Sequence, residues 1–210
     1  MRKLTRTSLL FLYLSAFALA SVPSHLAAQT VKTIVFIGDS LTAGYGVKKE
    51  EGYPERVETI LRSRGKSVKI INGGISGSVS AEADARVKWF LKTKPQLIVL
   101  ALGANDGLKG TPVAVIEKNL ESAILLAKEN KVPVVLVGMR MVTNLGPEYG
   151  KNFEGLYARL AKKHSLPFYP FLLDGVALNR ELNQSDMKHP NAKGHEVIAK
   201  KMADFLEKEL

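Results

Sequence analysis

Four short segments of the chain carry side chains that together could transfer an acyl group. Gly38-Asp39-Ser40-Leu41 offers a hydroxyl, and Asp186-Met187-Lys188-His189-Pro190 offers an imidazole and a carboxylate. A serine hydroxyl is a weak nucleophile until a base takes its proton, which is the role open to His189. Asp186 precedes His189 by three residues, so in a tight loop it can accept from one ring N–H. That contact fixes the tautomer whose other nitrogen is free to face Ser40. Pro190 biases His189 toward an extended backbone. The remaining need is a set of donors for a developing oxyanion. The backbone N–H groups of Ser40 and Gly77 and the side-chain amide of Asn105 could supply it, Gly77 lying in Asn72-Gly73-Gly74-Ile75-Ser76-Gly77 and Asn105 in Gly103-Ala104-Asn105-Asp106-Gly107. Gly38 is expected to permit a tight turn that exposes the hydroxyl, and Gly77 to admit an oxyanion close to its N–H.

Each segment alone reads as ordinary turn chemistry: Gly-Asp-Ser, a Gly-Gly loop, an Asx-type turn, a residue flanking a helix. What raises them above that is their placement. Apolar, β-branched-rich runs at residues 33–37, 68–71, 97–102 and 132–137, with a shorter one at 167–171, are expected to be strands. Being apolar on successive residues, they suit a sheet buried on both faces. Between them, Val57/Ile60/Leu61, Val87/Phe90/Leu91, Val113/Ile116/Leu120/Ile124/Ala127 and Ile198/Met202/Phe205/Leu206 recur at spacings of three and four, giving helices with one apolar face. The pattern predicts an α/β fold: one domain with three layers, a mostly parallel sheet between helices. In such sheets the ligand crevice lies at the carboxyl ends of the strands, and three of the four segments directly follow strands. Residues 139–152, with Gly146-Pro147 and Gly150, break every pattern and are expected to form a substrate loop.

The amino terminus reads differently. Residues 1–6 are basic, 9–20 are dominated by apolar side chains, and small residues follow at Ala18-Leu19-Ala20 and Leu26-Ala27-Ala28. The apolar run falls short of the roughly 20 residues a spanning helix needs. Residues 1–28 are therefore expected to be a secretory signal peptide cleaved after Ala20 or Ala28, leaving a domain at 29–210 and an exported product, periplasmic or secreted, without a transmembrane segment. The formal charge of +10 includes Arg2, Lys3 and Arg6 of that leader, so the remainder carries +7.

At this level of detail the four segments resemble the blocks of the GDSL, or SGNH, hydrolases. Gly38-Asp39-Ser40-Leu41 resembles the first block, Gly77 the second, Gly103-Ala104-Asn105-Asp106 the third, and the Asp186-to-Pro190 segment the fifth. The longer Gly-Asp-Ser-Leu-Thr-Ala-Gly-Tyr stretch looks like the exported thioesterase I, arylesterase and lysophospholipase subgroup, where Ala104 replaces a common glycine. The resemblance implies the flavodoxin-like arrangement of that family and a serine esterase acting on esters and thioesters of acyl groups, including arylesters and lysophospholipids. Ser40 would be the nucleophile, His189 the base, Asp186 its partner, and Ser40, Gly77 and Asn105 the oxyanion hole. Tyr45, Leu108, Met139, Met141 and Tyr149 are candidates for the apolar lining of the acyl site, with the loop at 139–152 beside it.

Other chemistries find less support. With no cysteine, thiolate metal sites and a cysteine nucleophile are excluded. There is no Gly-x-Ser-x-Gly elbow, dinucleotide fingerprint or phosphate-binding loop, so no cofactor is expected. His164 and His195 stand at no ligand spacing, so no metal is expected and both are read as solvated or packing residues. The positive charge is scattered as Lys48-Lys49, Lys162-Lys163, Lys200-Lys201 and singles, without interleaved aromatics. That argues against nucleic acid and for solvated helix faces, with weak attraction to an anionic lipid surface as the sharper reading. Removal of O-acetyl groups from a polysaccharide is the alternative activity. A binding module would need a missing catalytic member, and none is missing.

Overall fold

The structure, a computed structural model, describes residues 30–140 and 145–210. The expected leader at 1–28 and Met141 lie outside the described residues. Five parallel strands, β1 (Lys32–Gly38), β2 (Val68–Gly74), β3 (Leu97–Ala101), β4 (Val134–Val137) and β5 (Phe168–Tyr169), form one sheet in the order β2-β1-β3-β4-β5. This order reverses between β1 and β3, and the crevice at that switch point is where the fold places a ligand. Helices cover both faces. α2 (Tyr53–Ser63) packs on α7 (Ala192–Leu206), while α5 (Val113–Glu129) packs against both α3 (Ala83–Leu91) and α6 (Pro147–His164). Two short helices, α1 (Ser40–Ala43) and α4 (Ala104–Lys109), open directly after β1 and β3.

Ile34, Val35, Phe36 and Ile37 of β1 are all buried, as expected of a central strand with helices on both sides. The helices turn one apolar stripe toward it: Val57 and Leu61, then Ile116, Leu120, Ile124 and Ala127, then Ile198, Met202 and Leu206. At the exposed edge, β2 has its backbone groups satisfied by α2. Glu58 Oε2 accepts the Ile70 N–H at 2.6 Å and Arg62 Nε donates to the Val68 carbonyl at 2.8 Å. Side chains that occupy an edge in this way keep it from pairing with another chain.

Two expectations need correction. Gly73 and Gly74 belong to β2, opposite Ile37 and Gly38, and are not a loop. Their sequence reads as a turn, yet the glycines are there for close approach. A Cβ on Gly73 would stand 2.6 Å from the Phe90 ring and one on Gly74 2.1 Å from the Ala43 nitrogen. The second concerns residues 139–152, whose latter part is helical because α6 starts at Pro147. Gly146, at φ 88°, turns the chain and Pro147 occupies the first helical turn, where its missing N–H costs nothing. Phe153, Leu156, Tyr157 and Leu160 then supply the buried stripe.

Candidate active site

Ser40 is the first residue of α1, two residues beyond the end of β1. The Asp39 carboxylate accepts the Leu41 N–H at 3.0 Å, capping the helix. Burial pushes the Asp39 carboxyl up to about 6, while the Leu41 N–H and the charges of His189 and Arg86 pull it back. Gly38 is required for a different reason from the one its type suggests. Its Cβ would lie 1.9 Å from Thr42 Oγ1, so the absence of a side chain lets α1 fold back against the strand.

The imidazole arrives from the other end of the chain. His189 Nε2 lies 2.9 Å from Ser40 Oγ and Nδ1 lies 2.6 Å from Asp186 Oδ2. A carboxylate only accepts, so Nδ1 carries the proton and Nε2 of the neutral ring is the acceptor facing the hydroxyl. Asp186 Oδ1 also accepts the Lys188 and His189 N–H groups at 2.9 and 3.0 Å. The His189 contact first, and the Lys188 N–H second, hold the Asp186 carboxyl down at about 2, so it stays ionised at any ordinary pH. The loop is tied to the nucleophile side by Gln184, which donates from its backbone to the His189 carbonyl (2.8 Å) and from its side chain to the Tyr45 carbonyl (2.7 Å). The Tyr45 ring rests against His189, centroids 4.7 Å apart.

The donor side sits at the ends of β2 and β3. Gly77 has φ 83°, and a Cβ there would meet nothing within 4 Å. Its glycine is therefore demanded by backbone conformation, while the protein leaves the space above it open. Asn105 Nδ2 donates to the Ser78 carbonyl at 3.0 Å, which fixes the amide and leaves its second hydrogen for another acceptor. Behind it, the buried Asp106 carboxylate takes the Ser80 N–H and hydroxyl, both at 2.7 Å, and Asn119 Nδ2 donates to Ser80 Oγ at 3.0 Å. Asp106, Ser78, Ser80 and Arg86 escape a reading of the sequence. They carry no periodic signal, and only the Asn105-Asp106 adjacency hints at one of them.

Residues 36–197 match the family model described as GDSL-like lipase/acylhydrolase. The chain belongs to that family. It is 35% identical to an arylesterase of Vibrio mimicus over 88% of this chain and 92% of the relative. It is 31% identical to the thioesterase 1/protease 1/lysophospholipase L1 of Escherichia coli K12, over 86% of each. The solved structure of the psychrotrophic esterase EstA from Pseudoalteromonas superposes with a TM-score of 0.81 at 30% identity, covering 85% of this chain and 98% of that one. The protein is thus a serine hydrolase with an esterase fold and function.

In this GDSL-like hydrolase the expected acyl-lining residues divide. Tyr45 is exposed with its ring against His189, Leu108 is exposed on α4, the helix that carries Asn105, and Ile75 and Leu145, unmarked in the sequence, are exposed as well. Met139 is corrected to a core residue: it is 2% exposed, packed at the end of β4, and offers no wall to a ligand. Tyr149 is half-buried, its hydroxyl donating to the Thr111 carbonyl at 2.7 Å and its ring packed on Phe153. Met141 lies outside the described residues. His195 is a packing residue, fully buried, whose Nδ1 accepts the Tyr53 N–H at 3.2 Å. Half-buried His164 instead contacts Glu121 at 2.6 Å. Among the described residues no group of three or more acidic or histidine side chains could hold a metal ion, and no helix is long and apolar enough to cross a membrane.

Proposed function

We propose that this hydrolase cleaves carboxylic esters and thioesters of acyl groups, lysophospholipids and arylesters among them, through an acyl-Ser40 intermediate. Ser40 Oγ attacks the carbonyl carbon as its proton passes to His189 Nε2, and Asp186 stabilises the resulting imidazolium. The Ser40 and Gly77 N–H groups and the free Asn105 amide hydrogen receive the oxyanion. Collapse breaks the bond to the alcohol or thiol, which leaves with the proton from His189. Water then attacks the acyl-serine with His189 again as base, releasing the acid and restoring the hydroxyl. The observation that carries this reading is the continuous chain from Ser40 Oγ to His189 Nε2 (2.9 Å) and from His189 Nδ1 to Asp186 (2.6 Å). The exposed Tyr45 ring against His189 supports an apolar rather than a sugar-binding mouth. The names of the arylesterase and lysophospholipase relatives point the same way.

The basic, apolar and small-residue zones of residues 1–28 support export to the periplasm or medium, with the hydrolase domain at 29–210. The scattered lysines support a weak attraction of that domain to anionic lipid. Hydrolysis of p-nitrophenyl esters from acetyl to palmitoyl, with Ser40→Ala as control, tests the activity. Ser40-dependent rates that rise beyond acetyl are expected. Activity confined to acetyl would transfer the reading to polysaccharide O-acetylesters, and Ser40-independent activity would overturn the mechanism.

A further inference from the structure

Below the donor side lies a buried arginine that none of these steps uses. Arg86, in α3, is 7% exposed, and its Nη1 donates both to the Gly38 carbonyl (3.0 Å) and to Ser78 Oγ (2.7 Å). The two acceptors belong to different strand-end segments. Gly38 closes β1 two residues before Ser40, and Ser78 directly follows Gly77. The Gly38 carbonyl also accepts the Ile75 N–H at 3.1 Å, and the Ser78 carbonyl accepts Asn105 Nδ2. Ser78 Oγ in turn donates to Glu82. One guanidinium nitrogen therefore joins the chain segments that bear the Ser40 and Gly77 donors, and the Ser78 carbonyl ties Asn105 to them.

As a contribution to stability this arrangement is poor. Arg86 Nε and Nη2 are buried and meet no acceptor among the described residues. Burial depresses the Arg86 pKa, with the charges of Glu82 and Asp39 working against the shift. A buried charge satisfied at one nitrogen of three is often matched or bettered by an apolar side chain of similar volume. Its geometry makes sense instead as a spacer between two donors.

We propose that Arg86 is a positioning residue for the oxyanion donors, holding the Ser40 and Gly77 N–H groups at their working separation by gripping Gly38 and Ser78 together. Arg86 does not touch the substrate, and the inference rests on the hydrolytic reading above. A donor displaced by about 1 Å costs on the order of 10² in rate.

The test measures kcat and KM on p-nitrophenyl butyrate for Arg86→Met, Arg86→Lys and Ser78→Ala, per active site titrated to completion with an alkyl fluorophosphonate. Arg86→Met is expected to lower kcat about 10²-fold with KM changed by less than about threefold, and Arg86→Lys to recover part of the loss. Ser78→Ala, a small change that spares the core, is expected to cost about tenfold in kcat. Combined with Asn105→Ala, either variant should lose less than the product of the single losses, because both act on one donor set. A kcat per titrated site within about threefold of wild type in Arg86→Met and Ser78→Ala overturns the proposal even if the melting temperature falls, since that is a purely structural role. Should Arg86→Met fail to fold, the Ser78→Ala and Asn105→Ala cycle decides, and multiplicative losses there overturn the proposal. A wild-type enzyme without Ser40-dependent hydrolysis would overturn the functional reading itself, and this inference with it.

Discussion

Asp186 reaches His189 across three residues of one loop, whereas Asn105 reaches Ser78 across 27 residues and Arg86 reaches Gly38 across 48. The proton-transfer side of the site is thus assembled locally, at an exposed loop before α7, and brought to Ser40 by a single docking. The donor side is built from buried long-range hydrogen bonds among the ends of β1, β2 and β3. A local device can lose a member without disturbing the fold. In the donor side, the groups that orient the amides also join the strands, so rate and packing are coupled there.

The sharpest way to break this contrast is at its centre. Ser40→Ala and His189→Ala are each expected to reduce kcat on the order of 10⁶-fold, with the double variant scarcely worse because the two act as one unit. Multiplicative losses in p-nitrophenyl ester assays would separate the two roles. Asp186→Asn should cost about 10⁴ in kcat through the wrong histidine tautomer, with little change in melting temperature, as befits an exposed local contact. Asn105→Ala should cost about 10² to 10³ in kcat and, unlike Asp186→Asn, also lower the melting temperature by releasing the buried Ser78 carbonyl. The smallest effect concerns stability alone. Burial, ahead of the charge of Arg56, pushes His195 down to about 4 from 6.5. A lowered histidine contributes stability that is complete above 6.5 and lost as pH falls through 4, a difference on the order of 3 kcal/mol. Urea unfolding at pH 7 and pH 4 should show that loss in wild type and less of it in His195→Gln. Equal losses would mean that other groups drive acid unfolding.

The same contrast governs how much of the molecule is legible in its sequence. Ser40, Gly77 and Asn105 stand in short motifs after expected strands, and Asp186 and His189 in one before an expected helix, so their types and order announce a shared chemistry although Ser40 and His189 are 149 residues apart. The parallel sheet was equally readable from its consecutive apolar runs. Gly73 and Gly74 were not, because a glycine kept for close packing looks the same in sequence as one kept for a turn. Pro147 marks a helix start as readily as a break, and the difference lies in the buried stripe of Phe153, Leu156 and Tyr157 that follows. Met139 has the apolar type of a lining residue, yet its position just past β4 carries it into the core. Arg86, Ser78 and Asp106 carry no mark in the sequence since their partners lie in other segments, and a charged residue on a helix ordinarily faces water.

One measurement tests the central claim, that Ser40 is the nucleophile of a single acyl-transfer site. The protein is treated with an alkyl fluorophosphonate, whose phosphorus a serine oxygen attacks with loss of fluoride, while residual p-nitrophenyl butyrate hydrolysis and the modified peptide are followed by mass spectrometry. The expected result is one adduct, on the peptide containing Ser40, formed in step with complete loss of hydrolysis and absent from Ser40→Ala. Hydrolysis that survives full modification of Ser40, or inactivation with the adduct elsewhere, would contradict it.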